Sequence, residues 1–396
     1  MIMIVFKRHG ARRLVWAYLV TGVIILTIAT GIIISSQEVF AKEEIPLPPT
    51  TEIQETESVT PKPTPTPTLP AIPVVKVTKP RQAQNDFQAG VAVLVYGNDQ
   101  KFEVKTRKLF DRLASLKVNS LSLVFPLFQD NWTSSTVWVD KEKTPSEENL
   151  RLFIREAHKR GFTVMLKPLL DEKSFKVDEK WRGSIQPDDR TTWFESYTNL
   201  ILDYAKLAQE EDVEIFDIGT EFTSLEKETE QWQELIQEVR KIFSGQVTYS
   251  SNWDNYQNVS FWEELDFIGI DAFFPLDAPN EATIEQLIIA WQPWVKQMEK
   301  FRALSGKEIV LTELGTRSQL GSFQKPYVWY ATGVPIDLET QRKYYEASWL
   351  ATKDLVNGIY WWAVALELPK DPYNDPGFNP LGKPAEQEIA KCYKPD

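Results

Sequence analysis

Glu221 and Glu313 are the residues of this chain best placed to do chemistry. Each ends a short apolar run, Ile215-Phe-Asp-Ile-Gly-Thr before Glu221 and Ile309-Val-Leu-Thr before Glu313. A strand that ends in a carboxylate delivers it to one rim of a sheet, where a pocket can take it out of water. Two such groups facing one pocket suit cleavage of a glycosidic bond. One is held protonated to assist the leaving oxygen. The other stays ionised to attack, or to stabilise, an oxocarbenium-like centre. The competing reading is a pair of rim glutamates bound to structural neighbours.

Other kinds of active site are excluded by counting. The 396 residues hold two histidines, His9 and His158, and one cysteine, Cys392. His9 precedes an apolar segment and His158 lies in a helical run. No Ser-His-Asp triad, Cys-His pair or multi-histidine metal site can be built from them. No metal and no organic cofactor is expected. Forty-four basic against 56 acidic residues leave a net charge of −12, which argues against a nucleic-acid partner.

The elements that must position the two glutamates recur in a regular order. Strand-like runs fall at 90–96, 120–125, 163–167, 214–218, 247–251, 267–271, 308–312 and 358–362. Amphipathic stretches near 103–116, 146–160, 192–209, 228–243, 282–303 and 338–355 lie between them. Thr144-Pro-Ser-Glu-Glu marks a helix start, with acidic residues in the first turn. Eight strands with intervening helices predict an α/β fold, a (β/α)8 TIM barrel. No Gly-rich phosphate loop follows the first strand, which argues against an open doubly wound sheet.

The barrel accounts for only part of the chain. Residues 1–13 form a basic tail with Lys7, Arg8, Arg12 and Arg13, and residues 14–34 are apolar and uncharged. That stretch matches the ~20 residues needed to cross a bilayer. It reads as a transmembrane signal anchor with the N-terminus in the cytoplasm. A long signal peptide, clipped near 35–41, is the alternative. Residues 35–86 form a Pro/Thr-rich linker, in which ten of the 25 prolines fall between Pro46 and Pro80. Such a sequence favours a solvated polyproline II stalk. Residues 87–396 are then a catalytic domain carried outside the cell membrane.

In such a barrel the chemistry sits at the C-terminal ends of the strands. The third strand ends in Lys167, with Asp171, Trp181 and Arg182 downstream; the fifth ends in Asn252-Trp253, the sixth in Asp271, and the eighth in Trp361-Trp362. Indole faces stack on sugar C–H surfaces, and amides and charges hydrogen-bond hydroxyls. These nine residues are therefore candidates to bind substrate. Each also has a plainer reading: the Trp residues as packing, the aspartates as caps, Lys167 as the partner of a nearby acid.

Several motifs in order resemble glycoside hydrolase family 113. They are Val164-Met-Leu-Lys-Pro168, Trp181-Arg-Gly183, Trp193-Phe194, Asp217-Ile-Gly-Thr-Glu-Phe222, Ile268-Gly-Ile-Asp-Ala272, Thr312-Glu-Leu-Gly315 and Gly382-Lys-Pro-Ala-Glu386. The resemblance covers residues 88–391. It implies a retaining (β/α)8 glycosidase of the β-1,4-mannanase kind, with Glu221 as acid/base and Glu313 as nucleophile. Three features depart from the family pattern, one of them the unusual loop Ala363-Val-Ala-Leu-Glu-Leu after Trp361-Trp362. Leu169 stands where the family often has His, and Phe273 where it commonly has Tyr. A polysaccharide or oligosaccharide is the expected partner. The rival class is a non-catalytic carbohydrate-binding ectodomain on the same barrel.

Overall fold

The structure is a computed structural model that describes residues 87–172 and 180–394. The basic tail, the anchor and the linker lie outside the described residues. Among the described residues, no helix is long and apolar enough to cross a membrane.

Eight parallel strands close into a barrel in sequence order. They are β1 (Gln88–Leu94), β2 (Ser120–Gln129), β3 (Thr163–Glu172), β4 (Ile215–Thr220), β5 (Gln246–Asn252), β6 (Ile268–Asp271), β7 (Ile309–Leu314) and β8 (Gly358–Ala365). The helices are α1 (Phe102–Ser115), α2 (Glu147–His158), α3 (Arg190–Glu210), α4 (Thr229–Ile242), α5 (Ile284–Ser305), α6 (Leu338–Thr352) and α7 (Pro384–Cys392). Between β5 and β6, where the sequence shows no amphipathic stretch, the chain runs through two short 3-10 turns, Tyr256–Asn258 and Trp262–Glu264. Tyr256, Phe261 and Trp262 fill that space and are buried.

Local signals set the helix ends. Ser146 accepts a hydrogen bond from Asn149 N at 3.3 Å and so caps α2, at the start expected from Thr144-Pro-Ser-Glu-Glu. Thr283 and Gln286 form a reciprocal capping box on α5. That helix stops at Gly306, which takes the left-handed conformation (φ +67°) that glycine adopts without penalty.

Side chains alternate across each strand. The outward set, such as Leu121, Leu123, Phe125, Leu166 and Phe216, packs with Phe110, Phe153 and Trp193 of the helices in one continuous core. The inward set fills the barrel. Met165, Ile215, Phe267, Val310 and Tyr360 form a separate apolar cluster inside it. Lys167 and Asp217 of the site follow two residues further along β3 and β4, and Asp271 and Glu313 lie further along toward the same end of the barrel. The seam is the β1–β8 pair, with Gln88 opposite Gly358 and Leu94 opposite Ala365. Just past α7, the Tyr393 hydroxyl lies 3.0 Å from Gly90 O and 2.8 Å from Ile359 O, one carbonyl from each side of the seam.

Candidate active site

Lys167 is the hub of the barrel's upper interior. It points inward from β3 and is wholly buried, so its ammonium must find anions. It lies 2.8 Å from Glu313 Oε1 and 3.0 Å from Asp271 Oδ1, with Asp217 Oδ2 at 3.7 Å. These three carboxylates keep it charged in spite of burial. Thr312 Oγ1 donates to Asp271 Oδ1 at 2.8 Å, Gly219 N to Asp217 Oδ1 at 3.2 Å, and Ser250 Oγ also donates to Asp217. Asp217, which the strand-end reading does not single out, lies within β4, and an irregularity in the ladder between Asp217 and Thr220 separates it from Glu221.

Glu221 follows β4 directly in a left-handed backbone conformation, φ +56°. For a residue with a Cβ this costs roughly 1–2 kcal/mol. Two hydrogen bonds hold the turn: Glu221 N donates to Ser250 O at 2.7 Å, and Phe222 N to the Tyr249 hydroxyl at 2.7 Å. The side chain is 12% exposed and receives Arg182 Nη1 on Oε2 at 2.7 Å. Arg182 is itself braced by its Nε donating to Leu170 O at 2.8 Å, and Asp171 adds to the field that keeps it charged.

Two cations thus face four carboxyl groups: Lys167 and Arg182 against Asp217, Glu221, Asp271 and Glu313. Burial and mutual repulsion keep them from all ionising at once. Burial pushes the Glu221 pKa up to about 7, with Arg182 opposing. Burial and the Asp271 charge raise Glu313 well above the usual carboxylate range, against the pull of Lys167. Asp217 rises to about 6 by burial. The pair Glu221–Glu313 therefore retains a proton near neutral pH.

The candidate binding residues divide. Lys167, Asp271 and Arg182 join the network directly. Asp171 is half-buried beside it. Trp181 is 41% exposed and lays its indole across Gly183, where a Cβ would meet the ring. Asn252 ends β5 opposite Asp271 and donates to Asp254 Oδ1 at 2.7 Å. Half-buried Trp253 stacks on Tyr327 with ring centroids 5.9 Å apart. Trp362 points inward, into an apolar cluster with Leu169, Phe273 and Phe378.

Trp361 does not belong with them. Adjacent strand residues face opposite ways, and this one is buried in the outer core, stacked on Tyr345 of α6 at 4.1 Å. It is a packing residue. Tyr327, Trp329 and Phe378, which stand beside the candidates, come from loops without periodicity and left no signal in the sequence. Among the described residues, no group of three or more His, Cys, Asp or Glu is arranged to hold a metal ion.

A closed parallel barrel with paired, buried glutamates at the ends of β4 and β7 defines a barrel glycosidase. Residues 95–383 match the model of glycoside hydrolase family 113. The chain belongs to that family and is a glycoside hydrolase. It is similar to the solved family 113 β-mannanase AaManA from Alicyclobacillus acidocaldarius, at 24% identity over 79% of this chain and 99% of that one, TM-score 0.70. A family 113 β-1,4-mannanase structure matches at 26% identity over 78% and 99%, TM-score 0.70. A β-glucuronidase from Ruminococcus gnavus shares the fold alone, at 12% identity over 78% and 49%, TM-score 0.52. No curated protein matches the chain.

Proposed function

We propose that this hydrolase cleaves an extracellular β-linked polysaccharide or oligosaccharide, such as β-1,4-mannan or glucomannan, with retention of configuration. Glu313 is the nucleophile and Glu221 the acid/base. The observation that carries this reading is the two ion pairs at one end of the barrel, in which Lys167 holds Glu313 and Arg182 holds Glu221. The β-1,4-mannanase structures that the chain resembles support the choice of substrate.

In the first step a Glu313 oxygen bonds to the anomeric carbon while Glu221 gives its proton to the departing glycosidic oxygen. Esterification removes the negative charge of Glu313, so an ionised Glu221 no longer faces it, while Arg182 still favours the carboxylate. The Glu221 pKa then falls, and its carboxylate takes a proton from the water that releases the sugar. Asp171, Trp181, Asn252, Trp253, Asp271 and Trp362 line the sugar's path. Residues 14–34 anchor the chain in the membrane, and residues 35–86 carry the barrel away from it.

Mutation separates the two roles. Glu313→Ala should abolish turnover, and added azide should restore product of inverted configuration. Glu221→Ala should still cleave a dinitrophenyl glycoside in a burst, then stall until azide releases a product of retained configuration. The reverse pattern swaps the roles. Near wild-type activity in both variants makes these glutamates ordinary rim residues.

A further inference from the structure

One layer above the carboxylates, the barrel interior changes character. Leu169 stands two residues beyond Lys167 on β3, Phe273 two beyond Asp271, and Trp362 two beyond Tyr360 on β8. With Ala92, Val124 and Phe378 they form one buried apolar cluster. It carries no charge and no hydrogen-bond acceptor on its side chains. Its only side-chain donor is the Trp362 indole Nε1–H, which is buried and has no partner. Trp361 Nε1 is also unpaired, but in the outer core; what distinguishes Trp362 is that it belongs to the inward-facing cluster with Leu169 and Phe273, which follow Lys167 and Asp271 of the carboxylate network. Trp329, 61% exposed, lies against Trp362 and Phe378 with centroids 5.8 and 5.4 Å away.

Leu169 and Phe273 each stand two residues past a member of the Glu313 network, Lys167 and Asp271, so a sugar entering toward Glu313 would set part of its ring against this floor. A hydroxyl there would leave water and find no acceptor for its proton. An acetyl group fits the floor's chemistry instead. Its methyl meets Leu169, Phe273 and Phe378, and its carbonyl oxygen accepts the Trp362 Nε1–H. Building on the hydrolase reading above, we propose that the floor beside Glu313 seats the acetyl group of an acetylated sugar, and that the natural substrate carries one.

The test uses the full-length chain and three β-1,4-linked oligosaccharide probes: N-acetylglucosamine oligomers, O-acetylated mannose oligomers, and the latter after saponification. At least one acetylated probe should exceed the saponified one in kcat/KM by roughly tenfold or more. The amide arm winning assigns an N-acetyl sugar, and the ester arm an O-acetyl sugar. Leu169→Asn and Phe273→Tyr put hydrogen-bonding groups into the floor and should lower that ratio about tenfold. A saponified probe cleaved as fast as both acetylated ones overturns the acetyl assignment while the hydrolase reading stands. An unchanged ratio in both variants overturns the assignment of the floor. Cleavage of none of the three overturns this proposal, while membership of the hydrolase family, which rests on the sequence match, stands.

Discussion

Lys167 shows how the fold and the chemistry share one residue. Its ammonium lies among Glu313, Asp271 and Asp217 with no water to fall back on. Removing one partner from such a buried arrangement leaves uncompensated charge and costs about 3–5 kcal/mol. Lys167→Met should therefore lower the urea midpoint by that equivalent and drive the pKa of Glu313 higher still. A variant with an unchanged midpoint would show that the carboxylates had another source of compensation. The sequence allowed Lys167 either a sugar or an acid as partner, and the acids hold it. What the sequence concealed was number. Glu221 and Glu313 stood out because each ends an apolar run, whereas Asp217 and Phe378 looked ordinary until the barrel closed around them.

At the scale of elements, legibility followed period and length. All eight strands were visible because Val, Ile, Leu and Phe cluster in them, although their ends extend as far as Glu172 in β3 and Ala365 in β8. The nine-residue α7 is too short to show a clear helical period, and no α-helix was drawn there from sequence. Trp361 and Trp362 illustrate a subtler loss. Both read as rim indoles, yet a strand must send one inward and the next outward. Their truncation should separate them. Trp361→Ala empties the contact with Tyr345 and should cost about 3–5 kcal/mol of stability, with kcat of the folded enzyme preserved. Trp362→Ala should lower kcat/KM even well below its melting temperature. Denaturation curves paired with kinetics at low temperature check both; equal catalytic loss in the two variants would place Trp361 in the pocket after all.

The whole molecule titrates in two opposed windows. Asp217, Glu221 and Glu313 all have pKa values raised in the folded state. Between pH ~4 and ~7 these three groups hold more protons in the folded chain than in the unfolded one, and the stability they contribute falls as pH rises through that range. Glu156 behaves oppositely. Burial works against its charge, but Lys159, Arg160 and Arg107 hold its pKa down at about 2, so its contribution is lost as pH falls below the unfolded value. Melting temperature should peak in mildly acidic solution, and Glu313→Gln should flatten the decline toward neutrality. A wild-type melting temperature that climbs from pH 5 to 7 would contradict the site electrostatics. At this scale the anchor proposal is also tested: the chain should fractionate with membranes, and N-terminal sequencing that begins after Ala41 would defeat it.

The seam between β1 and β8 bears on how the chain comes to be folded. β1 opens the described domain and can complete its pairing only with residues from Gly358 onward. Tyr393, which touches a carbonyl on each side of that joint, lies some three hundred residues after Gly90. A nascent chain must therefore hold one bare edge, bearing Val91 and Val93, until the residues from Gly358 onward have been made. Such an edge invites strands from other chains. The closing contacts are also the most distant in sequence, which makes them slow to form. The segment from Gly358 to Tyr393 carries none of the proposed catalytic carboxylates, yet it ends the period in which the growing barrel is most exposed to aggregation.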